Sequence, residues 1–181
     1  VCAALLADRV NRAGVVSGIG PTLSSEDSED MMRSNQILFA LARRSELAVV
    51  PLNSLVAELA RRRPHQAIKA MRRQLPPSDA AILQRPEIFE AFADDAHRAS
   101  STSARASAQD MTLFARPWGF DLTEIAVPVD FWQGDADRNV PASHARLQAA
   151  KVPGSTLHEF PGEGHLLCID RLEEILRAVS R

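Results

Sequence analysis

The hydrophobic pattern changes texture twice along the chain. Val1 to Leu6 is an alanine-rich helical run, and Ala13-Gly14-Val15-Val16 is a short apolar stretch of the kind that forms a buried strand. Ser17-Gly18-Ile19-Gly20-Pro21 follows, a flexible corner where a chain can leave a sheet. Residues 22–118 then carry almost no strand signal. Ser24-Ser25-Glu26-Asp27 has the polar, acidic character of a helix N-terminus, and behind it Met31, Leu38, Leu41 and Ala42 recur at helical spacing. Leu52, Leu55, Val56 and Leu59 mark a second helix stopped near Pro64. Ile68, Met71 and Leu75 mark a third, stopped by Pro76-Pro77. Ser78-Asp79 and Pro86 open two more, the latter with Ile88, Phe89 and Phe92 on one face. Ser100 to Ala108 is rich in Ser and Ala and is read as helix rather than linker, because Met111, Leu113 and Phe114 follow it.

From Phe120 the texture becomes β/α. Val127 to Trp132 is a buried strand ending at Gly134, Ala142 to Ala150 a helix after Pro141, and Ser155 to Phe160 a further strand. Asp170 to Val179 is a terminal amphipathic helix, with Leu172, Ile175, Leu176 and Val179 predicted to face inward. Strands separated by helices imply a parallel sheet with right-handed crossovers. The expected fold class is therefore α/β with an all-helical insert.

Composition narrows the function classes. With 45% apolar and 24% charged residues among 181, the chain can build a core. A net charge of −2 gives no global field to attract nucleic acid or an anionic membrane. Arg61-Arg62-Arg63 and Arg72-Arg73 fall on helical segments and read as solvated faces. No stretch approaches the ~18 apolar residues of a membrane span, so a cytoplasmic protein is expected. Cys2 and Cys168 lack metal or disulfide spacing and read as small core residues. No cofactor or metal is implied.

In a parallel sheet, chemistry gathers at the carboxyl ends of the strands. Two polar clusters stand there, Gly134-Asp135-Ala136-Asp137 and Gly162-Glu163-Gly164-His165. His65, His97, His144 and His158 read as ordinary polar residues. His165 differs, because a Gly-Glu-Gly corner can turn the backbone and present the imidazole above the sheet edge. Asp137 lies 28 positions earlier, an interval of one loop, one helix and one strand, which brings both loops to the same end. A carboxylate beside an imidazole fixes its tautomer and supports the imidazolium formed in catalysis. Spacing alone leaves open two unconnected, solvated loop residues.

A family resemblance bears on that choice. DFWQGDADRNVP at 130–141 resembles the α/β-hydrolase segment in which a strand ends in Gly and the acid follows three residues later. PGEGH at 161–165 resembles the loop carrying that superfamily's histidine. Ala7-Asp8-Arg9-Val10 followed by AGVVSG resembles the helix end and strand just after the nucleophile elbow, and RPWGFDL at 116–122 the re-entry from a helical cap. The resemblance implies residues 1–21 and 116–181 as part of a hydrolase core of about three strands, and 22–115 as the cap. It implies Asp137 rather than Asp135 as acid and His165 as base; Asp135, directly after the strand-ending glycine, and Glu163, beside His165, are read as loop-stabilising residues.

Two departures stand out. Asp130 occupies a strand position where the family buries an apolar side chain, and a buried charge needs a partner that the sequence does not name. No G-x-S-x-G occurs; Ser17 lacks the elbow's glycine spacing. The expectation is a fragment that begins just after the nucleophile and supplies only acid and base. The substrate implied is a small or medium apolar ester, with the epoxide, haloalkane and C–C hydrolase branch as the alternative, and a truncated, non-catalytic remnant as another. Met31, Met32, Leu38, Leu41, Phe89, Phe92, Met111 and Phe114 either roof an apolar pocket or pack the cap. Self-association, or complementation by the missing N-terminal part, is expected of a bare edge at Ala13–Ser17, which carries neither charge nor proline.

Overall fold

A computed structural model describes residues 1–21, 26–100 and 104–180. The expected helix start at Ser24-Ser25 and part of the Ser100–Ala108 helix lie outside these residues. The chain divides into two units, Val1–Pro21 with Pro117–Arg181, and Thr22–Arg116.

The first unit holds α1 (Cys2–Leu5), β1 (Ala13–Val16), β2 (Val129–Gly134), α8 (Ala142–Lys151), β3 (Thr156–Phe160) and α9 (Leu167–Val179). The strands form a parallel sheet in the order β1-β2-β3, with Val15 opposite Phe131 and Phe131 opposite Leu157. Position in the sheet explains the burial. All six residues of the central strand β2 are buried, whereas those of the flanking strands are mostly half-buried.

Alternation along β2 builds two cores. Val129 and Phe131 join Leu122, Ile125, Val127 and Val152 on one face, with Ala3, Ala4 and Val10 packed against them. Trp132 on the other face meets Leu167 and Ile175 of α9, flanked by Val16, Phe160, Cys168 and Val179. α9 begins at Leu167, earlier than the pattern suggested, and of the four residues expected to face inward Ile175 and Val179 do so. Leu172 and Leu176 are exposed. At about 100° per residue they lie on the flank of the Leu167, Cys168, Ile175, Val179 face. Cys2 is also exposed, because one-turn α1 turns its half-buried neighbours Ala3 and Ala4 toward the core instead.

The second unit is helical: α2 (Arg33–Ala42), α3 (Glu46–Arg62), α4 (Pro64–Arg72), α5 (Pro77–Ile82), α6 (Pro86–Ser100) and α7 (Ala104–Phe114). Its boundaries follow local chemistry. The Ser45 hydroxyl accepts from Ala48 N–H to cap α3, and prolines open α4, α5 and α6 where a missing N–H costs nothing. α3 packs against α2, α4, α6 and α7 and buries Val49, while of the four residues that marked it Leu52 is half-buried and Leu55, Val56 and Leu59 are exposed. Among the described residues no helix is long and apolar enough to cross a membrane.

Asp130 acquires the partners that the sequence left unnamed. Arg12 Nη1 donates to its Oδ2 at 2.6 Å, and His158 Nε2 lies 3.3 Å from Oδ1 with its ring stacked on Trp132 at 5.0 Å. The carboxylate side chain is 9% exposed and Arg12 35%, so water screens the cation partly but not the anion. Removing Arg12 strands a buried carboxylate, whereas removing both charges does not. Arg12→Met is therefore expected to lower the unfolding free energy by about 1–2 kcal/mol, and Arg12→Met with Asp130→Val to recover most of it. Urea melts check this; equal losses in the single and double variants would contradict it.

Candidate active site

The carboxyl ends of the three strands converge on the loop before α9. Phe160 closes β3, Gly162 turns the chain at φ 74°, and His165 follows two residues ahead of α9. The neighbouring loop after β2 is zipped to this one. Asp135 N–H donates to the Phe160 carbonyl at 3.2 Å, and Ala136 N–H to the Glu163 carbonyl at 3.0 Å. The Asp135 carboxylate accepts from Gly162 N–H at 2.6 Å. β1 contributes through Ser17, whose hydroxyl donates to the His165 carbonyl at 3.3 Å. Among the described residues Ser17 is the one non-glycine at positive φ, 47°, a backbone cost that neighbouring contacts must offset. Beyond it, Gly20 N–H donates to His144 Nδ1 at 3.0 Å, and Gln148 Nε2 to the Gly18 carbonyl at 2.9 Å, tying the Ser17–Pro21 corner to α8.

This framework brings the two sequence-selected residues together. His165 Nδ1 lies 2.8 Å from Asp137 Oδ2. The Asp137 side chain is fully buried while that of His165 is 31% exposed, so the acid is withdrawn and the imidazole is presented. Asp137 Oδ1 accepts from the N–H groups of Asn139 and Val140 at 2.8 and 2.9 Å, and Oδ2 accepts a further bond from Gln133 Nε2 at 3.2 Å. With these donors around it the carboxylate offers Nδ1 an acceptor only. Nδ1 therefore carries the proton and Nε2 the lone pair, the tautomer in which an imidazole can take a proton from elsewhere.

The remaining loop carboxylate is held from α9. Glu163 accepts from Arg171 Nε at 2.9 and 3.0 Å, and hydrogen bonding to Glu163 holds the guanidinium above its ordinary range. Arg171 also lies over the Phe160 ring, 3.8 Å from its centre. On β3, hydrogen bonding to Glu159 likewise raises Arg146 of α8.

Asp137, His165, Asp135 and Glu163, the residues singled out from the sequence, lie together here, joined by Gln133, Asn139 and Arg171, which the sequence reading did not single out. Gln133 had a readable signal, a polar residue in an otherwise apolar strand immediately before its closing glycine. Asn139, two residues beyond the acid, had none that distinguishes it from ordinary loop polarity. Among the described residues no three His, Cys, Asp or Glu side chains are grouped to hold a metal ion.

Solved structures share this arrangement of sheet and helices. An α/β-hydrolase-fold protein from Nakamurella multipartita matches with a TM-score of 0.60 at 20% identity, covering 98% of this chain and 62% of that one. The fold is that of the α/β-hydrolases. The enol-lactonase from Burkholderia xenovorans LB400 matches at 0.58 and 18% identity over 99% of this chain and 58% of that one. The esterase EaEST from Exiguobacterium antarcticum matches at 0.56 and 14%, over 95% and 58% respectively. This α/β-hydrolase-fold chain thus spans about three-fifths of the length of these structures. No family model and no curated protein matches it in sequence.

Gly134 sets how close the two loops of this α/β-hydrolase fold can come. A Cβ there would lie 2.2 Å from the Glu163 carbonyl oxygen and 2.7 Å from that of Gly164, both backbone atoms that cannot swing away. Gly134→Ala is expected to part the loops and lower stability by about 1–3 kcal/mol, read as an earlier urea midpoint. An unchanged midpoint would mean that the loops are not in contact.

Proposed function

We propose that the chain carries the acid, Asp137, and the base, His165, of a nucleophile–histidine–acid hydrolase acting on small or medium apolar esters. The observation that carries this reading is the Nδ1–Oδ2 contact of 2.8 Å between a fully buried carboxylate and a partly exposed imidazole, at the carboxyl end of a parallel sheet. The fold supports it, as do two of the similar structures, named as an esterase and an enol-lactonase, since a lactone is a cyclic ester. In this scheme His165 Nε2 takes the proton from a nucleophile hydroxyl as that oxygen attacks the ester carbonyl, and later returns it to the leaving alcohol. Asp137 keeps the imidazole in orientation and supports the cation while it exists. The scheme takes its nucleophile and oxyanion donors from outside these 181 residues; among the described residues β1 is an edge strand to which further strands could add. The helical unit, residues 22–115, is assigned the part of the α/β-hydrolase cap domain. No step of this scheme calls on a metal or an organic cofactor.

The scheme divides labour between segments, and the division is testable with short p-nitrophenyl esters. The 181-residue chain alone is expected to give no pre-steady-state burst. A polypeptide in which a nucleophile elbow precedes Val1 is expected to turn over, and His165→Ala or Asp137→Asn to lower its kcat by about a thousandfold or more. A burst from the chain alone would place a nucleophile within it, and undiminished turnover by His165→Ala would remove the base.

A further inference from the structure

The outward nitrogen of His165 is already engaged. Asn139 Nδ2 lies 3.0 Å from His165 Nε2, and the Asn139 backbone is anchored beneath it by its own N–H bond to Asp137 Oδ1 at 2.8 Å. Because Nδ1 carries the proton, Nε2 offers only a lone pair, and Asn139 must meet it with an N–H of its amide. A neutral imidazole has one such lone pair, lying in the ring plane, and it accommodates one well-aligned donor at a time. The atom that would take a proton from a nucleophile is the atom that the amide covers.

We propose that Asn139 is a positioning residue that holds His165 in a capped resting state and competes with the nucleophile for Nε2. This rests on the reading of His165 as the base. On engagement the Asn139 N–H···Nε2 bond breaks and a nucleophile O–H···Nε2 bond forms, after which the proton passes from that oxygen to Nε2. The Asp137–His165 bond is kept throughout. Asp137 thereby controls both nitrogens of its histidine: Nδ1 directly through its carboxylate, and Nε2 through the backbone turn that aims Asn139. The device stays within reach of solvent, since Asn139 is half-buried and the His165 side chain 31% exposed.

Diethyl pyrocarbonate, which acylates an imidazole through its lone pair, probes the cap on the chain itself without any turnover. Peptide mass mapping follows each histidine separately, and the exposed His65 and His97 serve as references. Asn139→Leu keeps the bulk but cannot donate, and Asn139→Ala removes both. Either substitution retains the backbone N–H that serves Asp137. His165 is expected to react about fivefold faster in both variants, the change that loss of one ordinary hydrogen bond gives, with His65 and His97 unaltered. A faster reaction in Asn139→Ala alone would show that Asn139 only shields the ring, and unchanged rates in both would show that it does not hold Nε2; each overturns the cap. These results are independent of whether His165→Ala abolishes hydrolysis, which judges the base reading separately.

Discussion

A carboxylate taken out of water must receive its hydrogen bonds from the chain, and the candidate site is organised around that demand at Asp137. Its donors come from the end of β2 through Gln133, from its own loop through Asn139 and Val140, and from the β3–α9 loop through His165. Unsatisfied, such a group would cost several times what any one bond contributes. The two loops therefore have to lie together before the carboxylate can be buried at all. Gly134 allows the approach, the Asp135, Phe160, Ala136 and Glu163 backbone bonds register it, and Arg171 ties the result to α9. Placement of His165 is thus a by-product of burying Asp137.

The strand that leads into this loop, β2, carries a second buried carboxylate whose surroundings teach the contrast. Asp130 is met by a guanidinium and an imidazole, both about a third exposed, rather than by backbone donors. That arrangement neutralises a charge and ties β1 to β2 and β3, but it holds no group in a chosen tautomer and presents nothing at the strand ends. The two acids, seven residues apart in sequence, differ in the donors that surround them.

Much of this was legible in the sequence wherever local chemistry and long-range order agree. The strand from Val129 to Gly134 is apolar enough to be central, and the GDAD and GEGH corners at the ends of successive strands place Asp137 and His165 on one edge. The Asp130 partners were not legible, since Arg12 and His158 come from strands and loops that only the sheet order brings beside it. Periodicity also misled at half of the positions it picked in α9, which seats Leu167, Cys168, Ile175 and Val179 around Trp132 and leaves Leu172 and Leu176 outside. The same holds for α3, whose neighbours cover Val49 rather than the Leu55, Val56, Leu59 stripe. Asn139 lay beyond reach because its significance depends on where an imidazole from another loop arrives.

The central claim is that Asp137 fixes the tautomer of His165, and long-range 1H–15N correlation of the imidazole measures that tautomer directly. At alkaline pH the expected spectrum shows Nδ1 bearing the proton, shifted downfield by its carboxylate partner, and Nε2 without one. A spectrum with the proton on Nε2, or one with both tautomers mixed as in a free imidazole, would contradict it.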